Sequence, residues 1–278
     1  MRKLLLASVC TSFLCSCSSQ DEAPEPEIVG EWHHAGGTHF SEKYAPLDQV
    51  NAENFGDLEI AWRWQSIDVN LPRNLAYATG DYRAAPLLVG GVMYTNTNHG
   101  QVVALDPGTG NLLWSFDPES YALGRPVFSP AQTRGIEYWT DGDIERIFIA
   151  TLGKQLVSID VSNGRPDLNF GEDGFVDLRD NFGKLEFEID NITHGAPPIA
   201  VGSSVIIGSK IFDYTLFNRS PPGHVRAYDA YTGDFKWRFN TIPQNGEPYT
   251  ETWENDSWQD AGNTNVWTFM SADDDEGI

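Results

Sequence analysis

The sequence predicts an all-β protein, a β-propeller built from four-stranded blades. Three observations point there. Aromatic residues make up 12% of the chain and are interspersed with 26 Gly and 16 Pro, and scarcely any long stretch has helical periodicity, so short strands joined by turns are expected. Apolar runs break at glycines that can take the positive φ of a tight turn. A pattern also recurs: Ala104, Asp106, Gly110 and Trp114 return at identical spacing as Ala227, Asp229, Gly233 and Trp237, and in weaker form as Ser158, Asp160 and Gly164. A repeat of this kind sets the architecture before any single element does.

In chain order, residues 1–16 read as an export signal of the lipoprotein type. Met1-Arg2-Lys3 is a short basic head, and the apolar stretch after it is too brief to span a bilayer. Leu14-Cys15-Ser16-Cys17 follows, with small residues before a cysteine, and Cys17 is the expected lipidation site; an ordinary secretory signal cut after Ser16 is the competing reading. Either way the mature protein leaves the cytoplasm, for the periplasm and a lipid anchor in the cell envelope on the first reading. Residues 17–29, rich in Asp, Glu, Pro and Ser, read as a disordered linker. Residues 30–278 are left for one domain. Cys10, Cys15 and Cys17 are the whole cysteine complement, so this domain has no disulfide and must be held by its core. The net charge of −22, with few Lys and Arg, leaves no basic stripe for phosphates and argues against nucleic acid as a partner.

Within the domain, Ala85 to Tyr94 reads as a hairpin turning at Gly90-Gly91, Arg146 to Ser158 as one turning at Gly153-Lys154, and Ile199 to Ile207 as one broken by Gly202-Ser203-Ser204. Each copy of the repeat is a strand ending in Asp, a turn through Gly, and a strand carrying an aromatic. The copies lie 54 and 69 residues apart, which suits four-stranded blades with insertions, and a Trp at fixed offset can pack between neighbouring blades. Ala61-Trp62 is expected to be the matching outer strand of a first blade, or of the blade that closes the ring.

The repeat with its Asp, Gly and Trp resembles the tryptophan-docking motif of quinoprotein dehydrogenases, eight-bladed propellers that hold pyrroloquinoline quinone (PQQ) on their axis. Tyr44 to Asn51, Asn54 to Leu58 and Ala61-Trp62 are similar to that family's opening segment, and Arg134-Gly135-Ile136-Glu137-Tyr138-Trp139 to its second-blade signature. Gly223 to Pro243, Glu251-Thr252-Trp253, Asp256-Ser257-Trp258 and Gly262 to Trp267 follow in the family's order. The resemblance runs from Trp32 to Ile278 and implies the N-terminal half of such a propeller.

The resemblance also assigns site residues. Alcohol-oxidising members cover the quinone with a disulfide of adjacent cysteines, and the membrane glucose dehydrogenase type uses a histidine. His99, five residues before Ala104, matches that histidine, and Trp267 matches the aromatic floor beneath the ring. A flat quinone can stack on both. Arg134 matches an arginine that binds a PQQ carboxylate, as bidentate guanidinium chemistry suits. Arg83 stands where many relatives have a glutamate. Asn265 agrees with the glucose branch. Asp213 stands where the family has a Glu or Asn that binds a divalent cation, and oxygen ligands suit Ca2+, or Mg2+. Gly195-Ala196 departs from a Thr-containing pattern, with His194 beside it. The implied activity is oxidation of an alcohol group of a sugar or polyol, with electrons passed to ubiquinone or a cytochrome c.

The family's catalytic aspartate and cofactor lysine lie in later blades and have no counterpart up to Ile278, so the 278-residue chain is expected to be truncated and inactive alone. The acidic run Asp273-Asp274-Asp275-Glu276 is expected to be an exposed turn. Two other readings stay open: a non-catalytic scaffold lipoprotein of the outer-membrane assembly type, which shares the docking motif, and a calcium-dependent sugar-binding module.

Overall fold

The computed structural model describes residues 30–72, 80–123, 132–182, 192–211 and 221–277. The expected signal, the linker, Cys17 and Asp213 lie outside these residues. Three antiparallel sheets follow one another along the chain. The first consists of β1 (Leu87–Val89), β2 (Val92–Asn96), β3 (Val102–Leu105) and β4 (Leu112–Phe116). The second consists of β5 (Glu137–Thr140), β6 (Glu145–Ala150), β7 (Gln155–Asp160) and β8 (Arg165–Pro166), with β9 (Phe175–Asp177) pairing the other half of β7. A two-stranded pair, β10 (Ile192–Thr193) with β13 (Lys210–Ile211), flanks the third sheet of β11 (Ile199–Val201), β12 (Ser204–Ile207), β14 (Val225–Asp229) and β15 (Phe235–Phe239). Each sheet is a meander with its strands in sequence order, the form of a propeller blade.

The hairpins follow from local chemistry. Gly90 and Gly91, at φ +55° and +74°, supply the two positive-φ positions that let Val89 pair with Val92. At the end of each third strand the repeat's Asp closes a turn: the Asp106, Asp160 and Asp229 carboxylates accept the N–H groups of Thr109, Ser162 and Thr232 at 2.8, 2.8 and 3.1 Å. The glycine four residues on then donates its N–H back to the Asp carbonyl.

Buried side chains fill the space between sheets. Leu87, Val102 and Ala104 of the first pack with Ile147, Ile149 and Val157 of the second. On the far side, Phe148 and Leu156 meet Val205, Ile207 and Tyr228 of the third. β3 is buried throughout while β4 is largely exposed, so the fourth strand is the outer one.

Two seams carry the docking tryptophans. Trp114 lies over Gly164 so closely that a Cβ there would come within 2.5 Å of the ring, and its Nε1 donates to the Val161 carbonyl at 3.1 Å. Trp62 lies over Gly110 in the same way and donates to the Pro107 carbonyl at 2.9 Å. The segment around Trp62 docks as expected, but it forms no strand, which corrects the outer-strand expectation.

The seam between the second and third sheets differs. Leu168 occupies the docking position of the weak copy and is 71% exposed. The buried Arg146 instead donates to the Ala230 and Tyr231 carbonyls and pairs with Asp167. The Gly171 N–H bonds the Thr232 carbonyl at 2.8 Å alongside. Trp237 is 41% exposed.

The meander topology gathers the segments entering β1, β5 and β11, and the turns leaving β2, β6 and β12, at one end of the sheets. No helix among the described residues is long and apolar enough to cross a membrane.

Candidate functional site

At that end, short polar links tie the loops edge to edge. Asn96 Nδ2 donates to the Thr133 carbonyl at 3.1 Å, joining the loop that holds His99 to the residue before Arg134. Asn98 Nδ2 reaches the Gly80 carbonyl and Gln132 Nε2 the Asp81 carbonyl, at 2.9 and 3.0 Å, which brings in the segment bearing Arg83. The Arg134 N–H bonds the Gly195 carbonyl at 2.8 Å, beside His194.

Residues 263–267 then thread along the entrance to the third sheet. Asn263 N donates to the Pro221 carbonyl at 3.1 Å, and Asn265 bridges Gly223. The path requires glycine at two places, since a Cβ at Gly208 would strike the Val266 carbonyl and one at Gly223 would strike Asn265. Trp267 emerges at the end of this run, 47% exposed.

The structure brings Arg134 and Trp267 together: the guanidinium carbon sits 4.4 Å from the indole centroid, a cation–π contact. Burial, and then the charge of nearby Arg83, lower the Arg134 pKa from its ordinary value. Arg83 itself is half exposed and pairs with Asp81 at 3.2 Å. Among the described residues Arg134 has no carboxylate partner, so two neighbouring cations share this corner with too little negative charge. A planar anionic ligand would relieve the repulsion and find an aromatic face in one place.

His99 is buried and sits among different contacts. Its Nδ1 lies 3.1 Å from Asp68 Oδ2, and its carbonyl accepts the Ser120 hydroxyl at 3.0 Å. Burial opposes charge on Asp68, but hydrogen bonds from His99, Thr97 and Gln101 outweigh it and hold the carboxyl below its ordinary pKa. Asp68 was not found from the sequence, because it lies 31 residues before His99 with no motif linking them.

A second buried group was also missed. Arg226 donates to the Leu178 and Asp180 carbonyls at 2.9 and 2.8 Å and lies 3.9 Å over the Phe182 ring. Its Nη2 donates to His194 Nε2 at 3.1 Å, which leaves that ring neutral with its proton on Nδ1. Burial, then the charges of Arg226 and Lys154, push the His194 pKa well below its ordinary value. The buried His194 Nδ1 and Asn265 Oδ1 have no hydrogen-bond partner among the described residues.

A family model described as "PQQ: Glucose/ethanol/alcohol dehydrogenase, beta-propeller domain" matches residues 32–278. The chain belongs to this PQQ-dependent dehydrogenase family. Quinohemoprotein alcohol dehydrogenase ADH IIB of Pseudomonas putida is 30% identical over 284 residues, covering 97% of this chain and 36% of its own length. Quinoprotein glucose dehydrogenase A of Acinetobacter calcoaceticus is 27% identical over 246 residues, covering 79% of this chain and 30% of its own. The crystal structure of quinohemoprotein alcohol dehydrogenase from Comamonas testosteroni matches the fold with a TM-score of 0.67, at 24% identity over 88% of this chain and 34% of that one. The chain thus spans about a third of the length of these relatives.

The PQQ family's relatives named here include both alcohol and glucose dehydrogenases. The matches give no separate support to a scaffold lipoprotein or a sugar-binding module. The residues present fit PQQ. Arg134 and Arg83 offer guanidinium groups for carboxylates, Trp267 offers an indole face that Arg134 now covers, and His194 Nδ1 is a buried donor without a partner among the described residues.

Proposed function

We propose that this chain forms the cofactor-gripping part of a PQQ-dependent dehydrogenase that oxidises an alcohol group of a sugar or polyol and delivers the electrons to ubiquinone or a cytochrome c. The observation that carries the reading is Arg134 stacked on Trp267 with no carboxylate partner of its own among the described residues, beside an Arg83 whose charge Asp81 answers. PQQ, when bound, supplies the acceptor for the hydride leaving the alcohol carbon.

This chain's own residues bind and orient. Arg134 takes a rim carboxylate, with Arg83 adding to the local positive field. Trp267 provides the flat surface under the ring, and His99, its imidazole fixed by Asp68, provides the cover. The glucose-type branch is favoured because every cysteine of the sequence lies in the first 17 residues, which leaves no disulfide to take the place of His99. Asp213 is the proposed oxygen ligand for a calcium ion, or magnesium in its place, whose chemistry would be to polarise the ring carbonyl. Export to the periplasm and a lipid anchor on Cys17 complete the reading, and labelling with radioactive palmitate, lost in Cys17→Ala, tests the anchor.

The test of function is dye reduction by the whole protein reconstituted with PQQ and Ca2+. Aldoses are expected to turn over faster than ethanol, and Arg134→Ala to weaken cofactor binding at least about tenfold. Ethanol oxidised as fast as any sugar would overturn the substrate class, and absence of PQQ binding would overturn the whole reading.

A further inference from the structure

The turn at residues 30–43 places three imidazoles where the family reading assigns nothing. Trp32 pairs with Leu88 through two 2.8 Å hydrogen bonds, so this segment runs beside β1. His34 and Gly37 close a tight turn, with the Gly37 N–H on the His34 carbonyl at 2.8 Å, and the turn folds the His39 ring back onto His34 with centroids 3.6 Å apart. Both rings face Glu137, the first residue of β5 and 2% exposed.

The donor atoms converge on one point. His34 Nδ1 lies 3.0 Å and His39 Nε2 3.4 Å from the same oxygen, Glu137 Oε1, and the three ligand atoms all lie within 4.8 Å of one another. Ligands 2.0–2.1 Å from a tetrahedral zinc ion sit about 3.3 Å from each other, close to the two imidazole-to-carboxylate distances of 3.0 and 3.4 Å. We propose that His34, His39 and Glu137 form a binding site for a divalent transition ion of the zinc type, with a fourth position open to the cleft beside them.

Two further observations point to a cation. His39 Nδ1 is hydrogen-bonded to the Asp274 carboxylate, so the lone pair of this ring is on Nε2. A carboxylate holding the outer nitrogen of a ligand histidine is the usual outer-shell arrangement around zinc. Nε2 is buried, lies 3.4 Å from Glu137 Oε1 and makes no hydrogen bond among the described residues. An ion seated between this nitrogen and the carboxylate oxygen would be ligated by both. The cleft beside them, of about 730 Å³, is walled by Glu31, Glu42, Asp273 and Asp275, so its field favours cation entry.

The ligand set spans parts of the fold that are distant in sequence. Glu137 Oε1 also accepts the Ala200 N–H of β11 at 2.9 Å, and Asp274 accepts the Gly202 N–H at 3.0 Å. A bound ion therefore pins the 30–43 turn across the first strands of the second and third sheets. The acidic run is a turn, as the sequence suggested, and Asp274 within it has this positioning role.

The experiment is a calorimetric titration of chelator-stripped protein with zinc chloride, without PQQ, so that it succeeds or fails independently of the proposed dehydrogenase activity. One saturable site per chain is expected. His34→Ala and His39→Ala should each weaken it at least about a hundredfold, and Asp274→Asn about 10- to 100-fold. No saturable site, or one unchanged in both histidine variants, overturns the proposal. Should a variant fail to fold, zinc K-edge X-ray absorption of the wild-type complex decides: imidazole nitrogen in the first shell supports the site, and a shell of oxygen alone overturns it.

Discussion

The seam between the first and second sheets is closed by an indole, and the seam between the second and third by a guanidinium. Both donate to the backbone carbonyl that follows the repeat's aspartate, Val161 in one case and Ala230 in the other. The requirement shared by the two seams is therefore a donor for that carbonyl plus a body that fills the gap beside the turn glycine. Trp114 meets both needs with one neutral side chain. Arg146 meets only the first, and carries a charge out of water that needs Asp167 as its counterion, while Gly171 and Val176 fill the gap at Gly233. The indole seam rests on buried area, and the guanidinium seam on a desolvated ion pair.

Breaking the second seam should cost most. Arg146→Ala leaves Asp167 and two carbonyls without their donor, and a loss of about 3–5 kcal/mol is expected in urea unfolding. Asp167→Ala in the same chain should restore part of it, as a double-mutant cycle would register. Trp114→Ala removes area and an N–H but no charge, and about 3 kcal/mol is expected, with no rescue from any charge change.

Acid should separate the seams further. His224 lies 6.0 Å from Phe182, where the chain leaving the second sheet meets the third. Burial, then the Arg238 and Arg226 charges, lower its pKa to about 4. The unfolded chain takes a proton near pH 6.5 and the folded chain does not, so stability is full above that pH and falls as pH drops toward 4, by roughly 2–3 kcal/mol. In His224→Phe this part of the slope should vanish from melting curves recorded across the range. Gly164→Ala should cost about 2–4 kcal/mol, because the glycine holds φ +69° and an added Cβ would come within 2.5 Å of the Trp114 ring. Leu168→Ala, at the empty docking position, should shift stability by less than about 0.5 kcal/mol. A large loss there would mean that the second seam uses the docking position after all.

The contrast also marks what the sequence can disclose. The Asp-to-Gly turns, the Gly90-Gly91 hairpin and the place of Trp114 follow from local chemistry, and each was legible from a few adjacent residues. The lack of a tryptophan at Leu168 was legible too. Its replacement was not, since Arg146 reaches its acceptor 84 residues away and no local pattern marks a side chain for that task. The candidate site divides in the same way. Arg134 and Trp267 were found through family motifs, and their contact then emerged from the fold. Asp68 beneath His99, Arg226 beneath His194, and Glu137 between two histidines are pairings made by chain crossing, which spacing does not encode.

On the proposed function, the loop end carrying Arg134 and Trp267 receives PQQ. A cryo-electron microscopy structure of the whole protein reconstituted with PQQ and Ca2+ tests it most directly. Ring density between the Trp267 indole and the His99 imidazole, with a carboxylate on Arg134, is the expected result. Density elsewhere, with the guanidinium still lying on the indole, would contradict it.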